Sequence, residues 1–275
     1  MPSRSADLFR EGRLREAIEA QSEAVKAAPS DIRRRWFLAE LLCFVGDWER
    51  ADRALEVIAI QAPQQQAAVV AFQHLLRGEE VRRQVMNQGR APEFLGEGGN
   101  NLRPAVAALL CLREGRPKDA AQMLEEGGSP MGVGGIRNGD ERFDSFRDLD
   151  DVCALFVELI AEAGRYYWVS VADLELIEIQ PLTSARDFIW RPARLAVQGG
   201  PAGSVFLPAI YMTDPMDAPT EADDALRLGR RTEWLDRAGS PVRGIGLRTF
   251  LVGETDVPIH ELGRLQFAER TIGLS

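Results

Sequence analysis

Glu11–Pro29 reads EGRLREAIEAQSEAVKAAP and Val45–Pro63 reads VGDWERADRALEVIAIQAP, and the two stretches carry three landmarks at one interval. Gly12 and Gly46, Ala17 and Ala51, and Pro29 and Pro63 each stand 34 residues apart (46−12, 51−17, 63−29). That is the tetratricopeptide period. In such a unit two antiparallel helices meet at a tight turn that favours Gly, a small Ala lets them approach closely, and Pro stops the second helix.

The second unit is the most complete. Ser30 caps its first helix in this reading, Leu38, Ala39 and Leu42 form the inward stripe, Gly46 turns the chain, and Asp47 caps a second helix carrying Ala51, Leu55 and Ile58. The first unit keeps Leu8, Gly12, Ala17, Ala24 and Pro29, but the chain start at Met1 and Pro2 cuts its leading helix short, so it reads as a cap. A third unit follows at Ala108, Gly115, Ala120 and Leu124. Between them, residues 64–87 read as helical but degenerate, with Ala71 and Gly78 at the expected offset and Arg83 where a small residue belongs. Three units suffice to bury a continuous core, and the null alternative, ordinary Ala packing in a helical protein, does not explain three matched landmarks.

With 275 residues, 45% hydrophobic and 27% charged, the chain has room for two domains with separate cores. No apolar run approaches a bilayer span, and MPSRSADLFREGR at the start lacks the apolar core of a signal peptide, so a cytoplasmic protein without membrane contact is expected. Cys43, Cys111 and Cys153 are odd in number and sit in apolar stretches, which reads as buried free thiols. With only His74 and His260 to join them, no metal site is expected. A net charge of −9 argues against nucleic acid as partner. The run Arg33, Arg34, Arg35 reads as a solvated helix start, with an acidic partner segment as the alternative.

Composition changes after Glu126, where GGSPMGVGGIRNGDERFD packs glycines too densely for helix or strand. The expected division is a helical repeat domain over 1–127, a Gly- and Asp-rich linker over 128–147, and a β domain over 148–275 entered through one helix, Leu149–Ala163, ended by Gly164. Gly132 and Gly134 supply G-x-G, but Arg137 stands where a dinucleotide fingerprint needs its third Gly. Asp140, Asp144, Asp148, Asp150 and Asp151 do not match a calcium loop, and the last three read as the acidic start of the helix. Beyond Gly164, YYWVSV, LELIEIQ, DFIW, ARLAVQ, SVFLPAIY, LRTFLVG and GRLQF are short runs broken by Pro and Gly, as strands are. The fold class is therefore α+β in two parts: an N-terminal tetratricopeptide-like α-α superhelix, then a small, mostly antiparallel β domain.

Four words in the C-terminal half stand in a distinctive order: Arg165-Tyr166-Tyr167-Trp168-Val169; Arg186-Asp187 with Trp190-Arg191-Pro192-Ala193; Arg231-Thr232-Glu233-Trp234; and Gly244-Ile245-Gly246-Leu247-Arg248. Behind a repeat-like front, this order resembles the ImpE/SciE family, also called TagJ, accessory proteins of bacterial type VI secretion systems. The resemblance spans nearly the whole chain. It departs at Leu247, where the family pattern leads one to expect Gln, so any contact made by that Gln is in doubt here. The resemblance implies a non-enzymatic adaptor without cofactors that binds a helix of the small sheath subunit, TssB, and connects to the N-terminal domain of the sheath-recycling ATPase ClpV.

A repeat array also makes a groove that holds an amphipathic helix by apolar anchors. By repeat offset the groove-facing residues are Phe9 and Arg10, then Arg33, Trp36, Glu40 and Phe44, then Leu109, Leu112 and Arg113. Trp36 and Phe44 are the preferred anchors, with the aromatic core of the helices as the competing reading. In the β domain, Arg165, Arg186, Asp187, Arg191, Arg231 and Glu233 read as a converging ion-pair network. The alternative is a cleft for a small anionic ligand in an enzyme or sensor, although no nucleophile and base stand at a recognisable spacing. A general repeat scaffold outside secretion is the third reading.

Overall fold

The helices of the repeat array form where the 34-residue spacing puts them. In the computed structural model, which describes residues 3–128, 131–212 and 223–269, α1 (Arg4–Glu11) and α2 (Leu14–Ala27) make one hairpin, and α3 (Ile32–Phe44) and α4 (Trp48–Gln61) the next. After the long α5 (Gln66–Gln88), α6 (Arg103–Arg113) and α7 (Pro117–Glu126) make another. Gly12, Gly46 and Gly115 occupy the three hairpin turns with φ of 85°, 71° and 70°, a left-handed backbone that Gly adopts without cost. Asp47 caps α4 through Arg50 N, but α3 is capped by Asp31 rather than Ser30: its carboxylate accepts from Arg33 N. The expectation resting on Met1 and Pro2 lies outside the described residues.

The degenerate unit is a single straight helix. Gly78 sits in mid-α5, where a Cβ would come within 2.5 Å of Ile160 Cγ2, so the glycine marks a close approach of helix to sheet and not a turn. The short strand β1 (Glu93–Leu95), unforeseen in the sequence, then leads toward α6.

The presumed linker is also structured. Over its described part the chain forms β2 (Met131–Arg137) and β3 (Glu141–Asp148), an antiparallel hairpin. Gly135 stands where a Cβ would lie 2.1 Å from Gln266 O of the adjoining strand, so here glycine permits close strand approach. Ser129 and Pro130 of that segment lie outside the described residues.

Leu149–Ala163 is not a helix. A turn ends in β4 (Phe156–Ala161), whose Phe156 and Ile160 face the helices while Val157 and Leu159 face away. A strand buried on both sides carries apolar residues on both, here at every position but Glu158, and so satisfies a helical spacing by accident. The remaining strands are β5 (Tyr166–Ser170), β6 (Leu174–Ile179), β7 (Trp190–Val197), β8 (Ala202–Pro208), β9 (Thr232–Leu235), β10 (Arg243–Gly246), β11 (Thr249–Val252), β12 (Thr255–Pro258) and β13 (Arg264–Phe267), with a short α8 (Asp224–Arg227) before β9.

Eleven strands join in the order β1-β5-β4-β8-β7-β6-β13-β2-β3-β11-β12, and β9 pairs separately with β10. Every neighbouring pair is antiparallel except β1 with β5. The sheet is thus large rather than small. One of its faces encloses a core of its own, centred on Phe146, Leu195, Leu207, Phe250, Ile259 and Leu265. The other, through Phe156, Ile160, Tyr166, Trp168 and Trp190, shares a continuous core with Leu41, Leu55 and Phe72 of the helices. Two separate cores divided at the end of the helices are therefore not what forms.

Gly78→Ala should destabilise the protein by about 2 kcal/mol through overpacking against Ile160. Chemical denaturation of G78A, I160A and the double variant checks it: the double should be less destabilised than the two singles added.

Candidate functional site

The face of α5 that meets the sheet carries Phe72, Leu75, Glu79, Arg82 and Met86, a helical stripe in which two charges replace apolar residues. Both are buried. Arg82 donates to Glu158 of β4 at 2.8 and 3.1 Å, to Glu79 at 3.0 Å, and to the Ile210 carbonyl at 3.0 Å. Glu79 in turn accepts from Trp190 Nε1 at 2.8 Å. Arg248 donates to Glu158 from one side and to Asp148 at 2.9 Å, and Tyr211 donates to Asp148 at 2.7 Å. Tyr166 donates to Glu158 and accepts from Trp168 Nε1 at 2.6 Å. Burial alone would raise the Glu158 carboxyl, but Arg82 and Arg248 hold it down at about 2. At Asp148 burial prevails over Arg248 and pushes the carboxyl up to about 6.

The inner face of the first repeats is covered by the chain itself. The 3-10 turn Ala185–Phe188 rests against α3, and Arg186 lies 4.6 Å over the Phe72 ring and 5.9 Å from that of Trp36. Trp36 packs 5.9 Å from Phe72, which meets Trp190 at 6.2 Å. Glu40 is buried and Trp36 is half-buried beneath Arg186, so the side of α3 that they share is occupied, while Phe44, itself buried, borders a concavity of about 250 Å³ between the second hairpin and the β region. Burial pushes the Glu40 carboxyl up to about 7, with the nearby Arg186 opposing and Asp187 reinforcing the shift. Phe9 packs on Phe37 and Phe44, and Arg230 from the β region donates to the Phe9 and Arg10 carbonyls at 2.6 and 2.9 Å. Arg10 and Arg33 are exposed, each beside an aspartate of its own helix start or turn.

The motif residues do not converge as one network. Arg165 is exposed and pairs with Glu93 at 2.5 Å while lying over Tyr167. Asp187 accepts four hydrogen bonds from Thr183 and Ser184 and fixes the 3-10 turn. Arg191 is buried near Asp187 and His260, and burial, with Arg191 adding to it, pushes His260 down to about 4. Arg231 and Glu233 pair at the surface at 2.9 Å. Thr232 donates to the Leu247 carbonyl at 2.7 Å, and the half-exposed Trp234 meets Tyr211 edge-on. Gly244 N donates to Asp150 at 3.0 Å, Gly246 has φ of 85°, and Pro192 pairs with Phe206 across β7 and β8. Of the motif residues, Tyr166, Trp168, Trp190 and Arg248 reach the buried network. Of its other members, Glu79, Arg82 and Glu158 were legible only as charges inside apolar stripes, Asp148 was read as part of an acidic helix start, and Tyr211 carried no signal of its own. Asp148, Asp150 and Asp151 start no helix: Asp150 holds Arg243 at 2.8 Å together with the turn amides of Val152 and Cys153.

An apolar concavity lies beside the third helix pair. The end of α5, β1 and the outward side of α6 bound a groove of about 450 Å³, and Leu109 and Arg113 line it. Leu112 is half-buried against α7 and is not part of it. All three cysteines are buried and unpaired. Among the described residues no helix is long and apolar enough to cross a membrane, and no cluster of three His, Cys, Asp or Glu could hold a metal.

The architecture and the motif order have counterparts. A tetratricopeptide-repeat family model matches residues 8–75, and the model described as ImpE protein matches 140–266. The chain is 31% identical over 261 residues, 95% of its own length and 90% of the relative's, to the type VI secretion system accessory component TagJ of Pseudomonas aeruginosa. The chain belongs to the ImpE family. A crystal structure of a Vibrio parahaemolyticus protein shares its fold with a TM-score of 0.88 and 29% identity, covering 98% of this chain and 99% of that one. In this ImpE-family chain, repeat front and β rear are thus parts of one architecture shared along nearly all of both chains.

Glu158→Gln should cost about 3 kcal/mol or more, since Arg82 and Arg248 would face each other in the core without the charge that separates them; urea denaturation at neutral pH measures it. Glu40 gives the opposite kind of test. Its folded pKa lies above the unfolded value, so its protonated form stabilises the fold at low pH and that contribution fades as pH rises from about 4.5 to 7. Glu40→Gln should therefore match the parent near pH 4.5 and exceed it by about 2–3 kcal/mol near pH 8, read from paired denaturation curves.

Proposed function

We propose that this protein is a non-enzymatic adaptor of a bacterial type VI secretion system, acting in the cytoplasm, that binds a helical segment of the small sheath subunit TssB and connects it to the ATPase ClpV. The likeness to TagJ over 95% of the chain carries this reading. The tetratricopeptide match supports it, since such repeats present surfaces for protein segments. So does the rigidity of the scaffold: a repeat array fastened to a sheet by a buried charge network offers a fixed surface and loses little freedom on binding. The surface that meets the helix is assigned to the third helix pair, through Leu109 and Arg113, because Trp36, Glu40 and Phe44 are already engaged within the chain.

Calorimetric titration of the full chain with the small sheath subunit from the same organism, and separately with the N-terminal domain of its sheath ATPase, tests the reading. Micromolar or tighter binding to either is expected. Absence of heat with both would remove the adaptor function and favour a small anionic ligand in the β region.

A further inference from the structure

We infer that the groove between α5, β1 and α6 is a docking site for an amphipathic helix whose apolar stripe is flanked by Asp or Glu. The inference rests on the adaptor reading only in taking a protein segment as the occupant; the place and the chemistry come from the groove.

The outward face of α6 carries Arg103, Val106, Leu110 and Arg113, spaced by three, four and three residues, so the four share one side of the helix. An apolar stripe thus runs between two guanidinium groups roughly 15 Å apart along the axis, at 1.5 Å per residue. Across the groove stand Val85 of α5 and Pro92 and Phe94 at β1, and Arg90 adds a third cation to the rim. Leu110 is 47% exposed and Phe94 38%, and they are two of the six large apolar side chains left exposed among the described residues. Two such side chains meeting in one concavity make a patch rather than scattered exposure.

Charge selects the occupant. The chain has 42 acidic residues against 33 Lys and Arg, yet three arginines and no Asp or Glu line this groove. The Arg113 guanidinium lies across Gly89 at the C-terminal end of α5, the end of a helix whose dipole favours a cation, and Arg90 donates to Gln84 at 2.9 Å. A helix of three turns laid along α6 would seat apolar side chains at i, i+3 or i+4 and i+7 on Val106 and Leu110. Its acidic residues, about ten positions apart, would reach Arg103 and Arg113.

The test is anisotropy titration of the full chain with two labelled helical peptides that share one leucine stripe, one flanked by Glu and the other by Lys. The Glu peptide should bind at least tenfold tighter than the Lys peptide. Leu110→Asp should lose tenfold or more, and the pair Arg103→Glu with Arg113→Glu should reverse the preference; circular dichroism melts verify that the variants fold. Equal binding of both peptides, or binding unchanged by Leu110→Asp, overturns the proposal. A dimer of the parent that Leu110→Asp converts to monomer in light scattering also overturns it, since the groove would then be filled by a second copy. Titration of the same variants with the small sheath subunit separates the two readings. A subunit that binds parent and variants alike leaves the adaptor standing without this groove, and a subunit that does not bind while the Glu peptide does leaves the groove without that partner.

Discussion

Everything in this fold hangs on Glu158 being ionised out of water between Arg82 and Arg248. One guanidinium belongs to a helix of the repeat array, the other to the link between β10 and β11, and the carboxylate to β4, an interior strand of the sheet. Such a cluster adds little net stability over a well-packed apolar core, because three charges must first be desolvated. What it adds is selectivity. Any slip of α5 along β4 would strand a charge in the core, so the helices and the sheet share one relative position, and Trp190 on Glu79 and Tyr211 on Asp148 extend the network at its two ends.

That fixed position determines which surfaces remain for other molecules. The inner side of α3 would be the recognition groove of a free repeat array. Here Arg186 and its 3-10 turn take that place, stacked on Phe72 and Trp36 with the Glu40 carboxyl beneath. Uncovered surface is left farther along the array at its last helix pair, where the sheet contributes only the edge strand β1 and the side of α6 stays open.

The sequence made the repeats readable because each landmark does local mechanical work: a turn, a close contact, a stop. Beyond Tyr166, β5, β6, β7, β8, β11 and β13 were equally visible as aromatic and branched runs, whereas β9, β10 and β12 were not, and the run DFIW begins in the 3-10 turn Ala185–Phe188 rather than in a strand. What escaped were features whose cause lies elsewhere in the chain. Gly78 and Gly135 look like flexibility, yet each is required by a neighbour, Ile160 and Gln266, distant in sequence. Phe156–Ala161 has apolar residues on both faces around Glu158 and so passes for a helix, and Glu93–Leu95 is a strand only because β5 gives it a partner. For the candidate site, the family words marked Tyr166, Trp190 and Arg248, while Arg82 and Glu158 were hidden as charges in otherwise apolar stripes, and Arg103 and Leu110 as an ordinary helix surface.

The fastening of the first hairpin has a consequence in time. Leu14 N is held by Asp224 at 2.8 Å, and Arg230 caps the carbonyls at the end of α1, more than two hundred residues downstream. During synthesis the first helices leave the ribosome long before either group exists, so the Leu14 amide and the Phe9 and Arg10 carbonyls wait for these partners until almost the whole chain has emerged. The first repeat to be made is thus among the last to be completed, and its closure reports that the β region behind it has folded.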